Sequence, residues 1–195
     1  MRAAGPVDGS VVGRAGRPPG PVRGRRLGAT AEDPALKERK LEWLRDAGLH
    51  LMGRARYEEM AEFWPGSNDE YAAPMNEIPK VVFSRTLERA DWPESRIARG
   101  ELADEIAELK REPGKDMIAW GGAAFAQSLT RLGLVDEYPL VLQPVALGEG
   151  LPLFKGLPAP LRLELVEATT YSTGAALHIY RPASHAGEAL REVEG

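Results

Sequence analysis

The chain has 195 residues, 43% of them hydrophobic and 28% charged, with a formal net charge of -4 and no cysteine. That length corresponds to one domain with a sizeable core, and the missing cysteine excludes disulfides, thiolate metal sites and a cysteine nucleophile while fitting a reducing, cytoplasmic compartment. The acidic balance points away from nucleic acid as a partner, and neither an apolar run of roughly 18 residues nor a signal peptide is present, so a soluble protein with no membrane partner is expected.

Residues 1–28, rich in glycine and proline, carry six arginines against the single acid Asp8. A segment so poor in apolar surface does not repay the cost of ordering its backbone and reads as flexible. A basic arm for phosphates and a misassigned start codon are alternative readings. Residues 29–182 read as the folded domain and 183–195 as a polar tail.

The pattern turns helical at Asp33, an expected N-cap followed by Pro34, with Leu36, Trp43, Leu44 and Ala47 on one face and Gly48 as the stop. The apolar run 49–52 then ends at Gly53, and "RARYEEMAEF" follows as a helix. "KVVFS" (80–84) is strand-like, "ELADEIAELKR" spaces Leu102, Ile106 and Leu109 as a helix does, and "MIAW" (117–120) is a further strand. A helix with Phe125, Leu129 and Leu132 on one stripe closes at Gly133. Three more strand-like runs, "EYPLVLQPVAL", "LRLELVEATTYS" and "AALHIYRP", finish the chain, the last two joined by a Ser-Thr-Gly turn. Strands alternating with helices predict a largely parallel α/β sheet with an antiparallel end.

At three strand ends the apolar run gives way to small or cationic residues: Gly53-Arg54, Ser84-Arg85-Thr86 and Gly121-Gly122. In open α/β sheets ligands collect outside the carboxyl ends of the strands, where helix N-termini offer free N–H groups. Glycine turns the chain sharply and admits a phosphate close to the backbone, which makes a nucleotide pyrophosphate the natural ligand. An arginine at such an end, Arg85, suits a ribose 2′-phosphate and hence NADPH over NADH. Each signal also has a plain reading, as a tight connection or a solvated arginine.

Other candidates carry less. His50, His178 and His185 lack metal-ligand spacing, and His178 reads as facing solvent from a strand. Asp136-Glu137 reads as a solvated turn rather than a proton-delivering pair, Trp64-Pro65 as packing rather than a pocket wall, and Tyr57 as a substrate-side candidate in the first turn of its helix.

"LMGRARYEEMAEFWP", "KVVFSRTL", the run 116–158 and the closing "LRLELVEATTYSTGAALHIYRP" resemble the dihydrofolate-reductase-like superfamily, in its branch containing the reductase domain of riboflavin biosynthesis. The resemblance covers roughly residues 45–182 and implies a three-layer fold, a mostly parallel central sheet with antiparallel C-terminal strands, NADPH as cofactor, a small heterocyclic or ribosylamino-pyrimidine-like substrate and a homodimer. It implies that Gly53 and Arg54 cradle the cofactor phosphates, that Ser84, Arg85 and Thr86 meet the 2′-phosphate, and that Gly121 and Gly122, with the N–H groups of Ala123 and Ala124, lie beneath the pyrophosphate. "LGEGLPLF" matches the family's glycine-rich loop near the substrate, with Gly148, Gly150 and Phe154 as its candidates. The chain departs from the family in two places. Arg56 stands where a phosphate-binding threonine is usual, and residues 1–28 hold only "VDGSVV" where a central strand ending in Ser-Leu-Asp-Gly is usual. No catalytic residue or proton donor is assigned, Asp8 being only a faint match, and no metal site is expected. The zinc-deaminase motifs that accompany the riboflavin enzyme are missing from this cysteine-free sequence, which rules out deamination by these residues. The alternative is a catalytically inactive nucleotide-binding relative lacking the first strand.

Overall fold

The computed structural model describes residues 32–146 and 151–183. The basic segment with Asp8 and "VDGSVV", His185 and all but the first residue of the polar tail lie outside the described residues.

Helix α1 (Pro34–Asp46) starts as expected, with Asp33 Oδ1 accepting the Ala35 N–H at 2.9 Å. Its end differs. Strand β1 (Ala47–Gly53) begins directly after Asp46, which puts Ala47 and Gly48 in the sheet rather than at a helix stop. The pairing of β1 slips between Ala47 and Leu49, and a Cβ on Gly48 would meet the Lys115 Cβ at 3.0 Å. Glycine there serves a bulge pressed against a neighbouring backbone.

After β1 come α2 (Arg54–Phe63), a 3-10 turn at Trp64–Gly66, α3 (Ala72–Glu77), β2 (Lys80–Phe83) and β3 (Ser95–Ala98). Then follow α4 (Leu102–Arg111), β4 (Asp116–Trp120), α5 (Ala123–Arg131), β5 (Tyr138–Leu142), β6 (Leu163–Thr170) and β7 (Ala176–Pro182). Strands β3-β2-β1-β4 make a parallel sheet in that order, and β5-β7-β6 a separate antiparallel one. This is the expected α/β class, with the antiparallel C-terminal strands gathered into their own sheet among the described residues. Pro139, with no N–H to donate, lies in β5, a strand paired on one side only among those residues.

Alternation along the parallel strands sends side chains to two cores. Met52, Val82 and Ile118 face α1, α2 and α3 through Leu41, Leu44, Tyr57, Met60 and Met75, while Leu51, Val81, Met117 and Ala119 face α4 and α5 through Ile106, Leu109 and Leu129. Three layers result. Trp64 is buried beside Phe63 and Tyr71, in keeping with its reading as packing. Leu132 leaves the expected stripe and is exposed, because α5 ends at Arg131. Gly133 then closes the helix at φ +65°, its N–H on the Thr130 carbonyl and the Leu134 N–H on that of Leu129.

Two polar side chains sit in the first of these layers. Lys80 is buried, its ammonium donating to the carbonyls of Asn76 and Ile78, both at 2.8 Å, and of Pro93 at 3.2 Å, over the ring of Trp92. Beside it in β1, His50 stacks on Trp120 and accepts the indole N–H at Nδ1, so the neutral ring holds its proton on Nε2. Burial, then the Lys80 charge, push the His50 imidazole down to about 3, with only the Pro74 carbonyl opposing. An unfolded histidine titrates near its ordinary 6.5. The unfolded state therefore binds the extra proton between these values, and stability rises with pH across that window and falls as pH drops through it. Chemical denaturation at pH 7 and pH 5.5 will show a loss of about 1 kcal/mol that disappears in His50→Gln.

Candidate functional site

The chain runs outward from β1 to β2 and β3, and α4 then returns it to β4 on the opposite side of β1. The direction of winding reverses between β1 and β4, and that is where an open parallel sheet leaves a crevice at its carboxyl edge. Gly53 ends β1 beside Phe83 of β2, while Met52 pairs with Trp120 of β4. All three sequence-predicted clusters therefore lie on neighbouring strand ends.

Two helices point their N-termini at this edge. Gly53 and Gly122 are the N-caps of α2 and α5, and neither helix has a side-chain cap. The N–H groups of Ala123 and Ala124 precede the first intrahelical bonds, which begin with the N–H of Phe125 and Ala126 on the Gly122 carbonyl at 3.0 and 3.1 Å. Phe125 crosses the end of β1 to stack on Phe83, ring centroids 5.4 Å apart, and a Cβ on Gly53 would touch its Cβ at 3.4 Å. A Cβ on Gly121 would come 3.3 Å from that of Ala126, whereas one on Gly122 would meet open space. The two glycines thus have different tasks: Gly121 admits the helix, and Gly122 leaves the edge uncovered.

The cations at the edge are linked. Arg54 donates from Nε to Glu58 at 2.7 Å and from Nη1 to the Thr86 hydroxyl at 2.9 Å, joining the ends of β1 and β2. Ser84 Oγ accepts the N–H groups of Thr86 and Leu87 at 3.2 and 2.9 Å, which folds the segment into a turn and leaves Arg85 projecting, paired with Glu101 and largely exposed. Arg99, beyond β3, was missed in the sequence. Its guanidinium donates to the carbonyls of Arg85 and Leu87, and its signal was the same apolar strand ending in a cation, "RIAR". Arg56, met there only as a departure, is buried and donates to the Gly121 carbonyl from Nε at 3.2 Å and from Nη2 at 2.8 Å.

The substrate-side candidates fare differently. Gly148 and Gly150 lie outside the described residues. Tyr57 must be corrected: it is packed in the core, 4% exposed, its hydroxyl accepting the Trp92 N–H at 2.9 Å. Phe154 is also displaced from the crevice. It packs edge-on against Tyr138, whose hydroxyl bonds Thr130 near the far end of α5, about 10 Å from that helix's first residue. Glu137 is not a solvated turn residue but buried on Arg181, while Asp136 pairs with Lys110. His178 is half-covered, with Nδ1 3.2 Å from the Tyr180 hydroxyl.

A parallel sheet whose winding reverses between β1 and β4, accompanied by an antiparallel C-terminal sheet, is the architecture of a dihydrofolate-reductase-like fold. The chain belongs to the RibD C-terminal domain family, whose model matches residues 27–177. It is 32% identical over 144 residues to the uncharacterized protein YyaP of Bacillus subtilis (strain 168), across 71% of this chain and 76% of YyaP. Among solved structures it resembles the Thermotoga maritima diaminohydroxyphosphoribosylaminopyrimidine deaminase/5-amino-6-(5-phosphoribosylamino)uracil reductase, with TM-score 0.58 and 16% identity over 93% of this chain and 55% of that one. It also resembles Enterococcus faecalis dihydrofolate reductase complexed with NADP(H), with TM-score 0.52 and 13% identity over 76% of this chain and 82% of that one. Likeness at such identities speaks to fold.

The two glycines separate in a stability measurement. Gly121→Val, forced against Ala126, lowers the unfolding free energy by about 1–3 kcal/mol, whereas Gly122→Ala, in an extended conformation with open space, stays within about 0.5 kcal/mol of the parent.

Proposed function

We propose that this chain is an NADPH-dependent reductase acting on a small heterocyclic, ribosylamino-pyrimidine-like substrate. The observation that carries the reading is the convergence of Gly53-Arg54, Ser84-Arg85-Thr86 and Gly121-Gly122 on adjacent strand ends, with two uncapped helix N-termini between them. The N–H groups of Ala123 and Ala124 receive the pyrophosphate, and Arg54 and Thr86 line its path toward β2. Arg85 takes the 2′-phosphate, exchanging the exposed Glu101 carboxylate for a group of higher charge. The cofactor supplies the hydride when bound, and the protein's part is to hold it against the substrate and keep water away. The substrate class is supported by membership of the RibD C-terminal domain family and by likeness to the Thermotoga maritima reductase; the cofactor is supported by likeness to the dihydrofolate reductase complexed with NADP(H). A cysteine-free composition fits work in the reducing cytoplasm.

Fluorescence titration of the purified protein with NADPH and NADH tests this. NADPH binds the more tightly, and Arg85→Ala loses about tenfold in NADPH affinity while NADH affinity changes little. Failure to bind either nucleotide overturns the reading, and binding without turnover on any pyrimidine or pterin marks an inactive relative instead.

We also propose that two copies pair through β6, an edge strand of the antiparallel sheet among the described residues, where Leu165 and Val166 are exposed at 55% and 49%. Light scattering will give a dimer mass that falls to the monomer in Leu165→Glu; a monomeric parent overturns the pairing.

A further inference from the structure

Arg56 lies in the first turn of α2, its side chain 7% exposed, with a guanidinium that cannot shed its charge. Two of its nitrogens converge on one atom, the Gly121 carbonyl oxygen, at 3.2 Å from Nε and 2.8 Å from Nη2, and Nη1 reaches Glu59 at 2.9 Å. This fork spans from the helix after β1 to the loop after β4, across the reversal point. It also fixes the plane of a peptide. In a trans peptide the C=O and the following N–H point in opposite directions, and no cis bond occurs among the described residues. With the Gly121 oxygen held on the α2 side, the Gly122 N–H is turned the other way. A Cβ on Gly122 would meet open space, and the N–H groups of Ala123 and Ala124, which precede the first intrahelical bonds of α5, follow it in sequence.

We propose that Arg56 is a positioning residue for the cofactor's pyrophosphate: its fork on the Gly121 carbonyl orients the Gly121–Gly122 peptide so that the Gly122 N–H joins those of Ala123 and Ala124 as a row of anion donors. The proposal rests on the NADPH reading above. It assigns Arg56 a task unlike that of a hydroxyl at the same place, which would bond the phosphate directly. Here the guanidinium acts on the backbone, and the backbone meets the anion. The planar guanidinium holds the oxygen with two donors at once, whereas a lysine ammonium, a compact charge on a flexible stem, holds it less firmly, so Arg56→Lys keeps the charge and loosens the peptide.

Two variants, Arg56→Lys and Arg56→Gln, keep the test available if one of them fails to fold. The first retains the charge without the fork, and the second removes both. The Gly122 amide resonance of the nucleotide-free, 15N-labelled protein reads the peptide orientation, and fluorescence titration reads the affinity. Expected are a displaced Gly122 resonance in both variants and a loss of about tenfold in affinity, equal for NADPH and NADH, since the pyrophosphate is common to them. Arg56→Lys with parental affinity, or weakened binding with the Gly122 resonance unmoved, overturns the positioning role while leaving the cofactor reading intact. A parent protein that binds neither nucleotide overturns the cofactor reading and the proposal with it, and the Gly122 resonance of the variants still reports whether the fork sets the peptide.

Discussion

The return of the chain across β1 to form β4 is the constraint from which the site follows. Three right-handed parallel connections in one direction would have placed the ends of β1 and β4 on separate parts of the sheet. Because α4 carries the chain back, Gly53 and Gly121 become neighbours and the N-termini of α2 and α5 converge between them. The approach is close enough that Phe125 lies over the end of β1 and stacks on Phe83 of β2. A Cβ at position 53 would rest in ordinary contact with Phe125 at 3.4 Å, so packing there asks only for a small residue.

The interior of the sheet sustains this edge with two polar groups that a parallel sheet rarely buries. Lys80 keeps its hydrogen bonds by drawing three backbone carbonyls around its ammonium, and burial still pushes it down to about 8. Burial first, and then the positive charge of Lys80 beside it, keep His50 neutral, and its ring accepts the Trp120 indole. That bond fixes Trp120, the last residue of β4, and therefore the point from which Gly121 and Gly122 leave the sheet. The buried histidine and the half-buried glycine pair are thus two ends of one short mechanical path.

The sequence carried the layout of this edge better than its details. Long apolar runs ending in glycine or arginine made β1, β2, β4 and the two helices legible, because periodicity and turn chemistry are local properties. Strand β3, four residues long, and α3, six residues long with Pro74 inside it, were too short to show a period. Gly48 was misread as a helix stop because glycine serves both a C-cap and a bulge, and only the approach of Lys115 distinguishes them. Tyr57 was misassigned for a related reason: the first turn of a site helix has a side facing the crevice and a side facing the core, and the choice is made by Trp92, distant in sequence. Arg56 was noticed as an anomaly, yet its partner is the carbonyl of a residue 65 positions away, and no local pattern encodes such a pairing.

The cations of the crevice share an arrangement that bears on how a ligand enters. Arg54 is paired with Glu58, Arg56 with Glu59 and Arg85 with Glu101. Exposed pairs of this kind contribute little to stability, so breaking them costs little, and an incoming phosphate at Arg54 or Arg85 replaces one anion by another. Arg56 is different because it is buried, and separating it from its partners would leave a desolvated charge, at a cost of several kcal/mol in comparable cases. The outer two arginines are therefore free to exchange their carboxylates for a nucleotide, while the inner one stays with the backbone. The site divides accordingly into a rigid floor, made by Arg56, the glycine pair and the start of α5, and an adjustable rim, made by Arg54, Thr86 and Arg85. On the proposed cofactor reading, the floor and the Arg54–Thr86 link would meet the pyrophosphate and Arg85 the ribose phosphate, so that the rim could change its discrimination while the floor stays as it is.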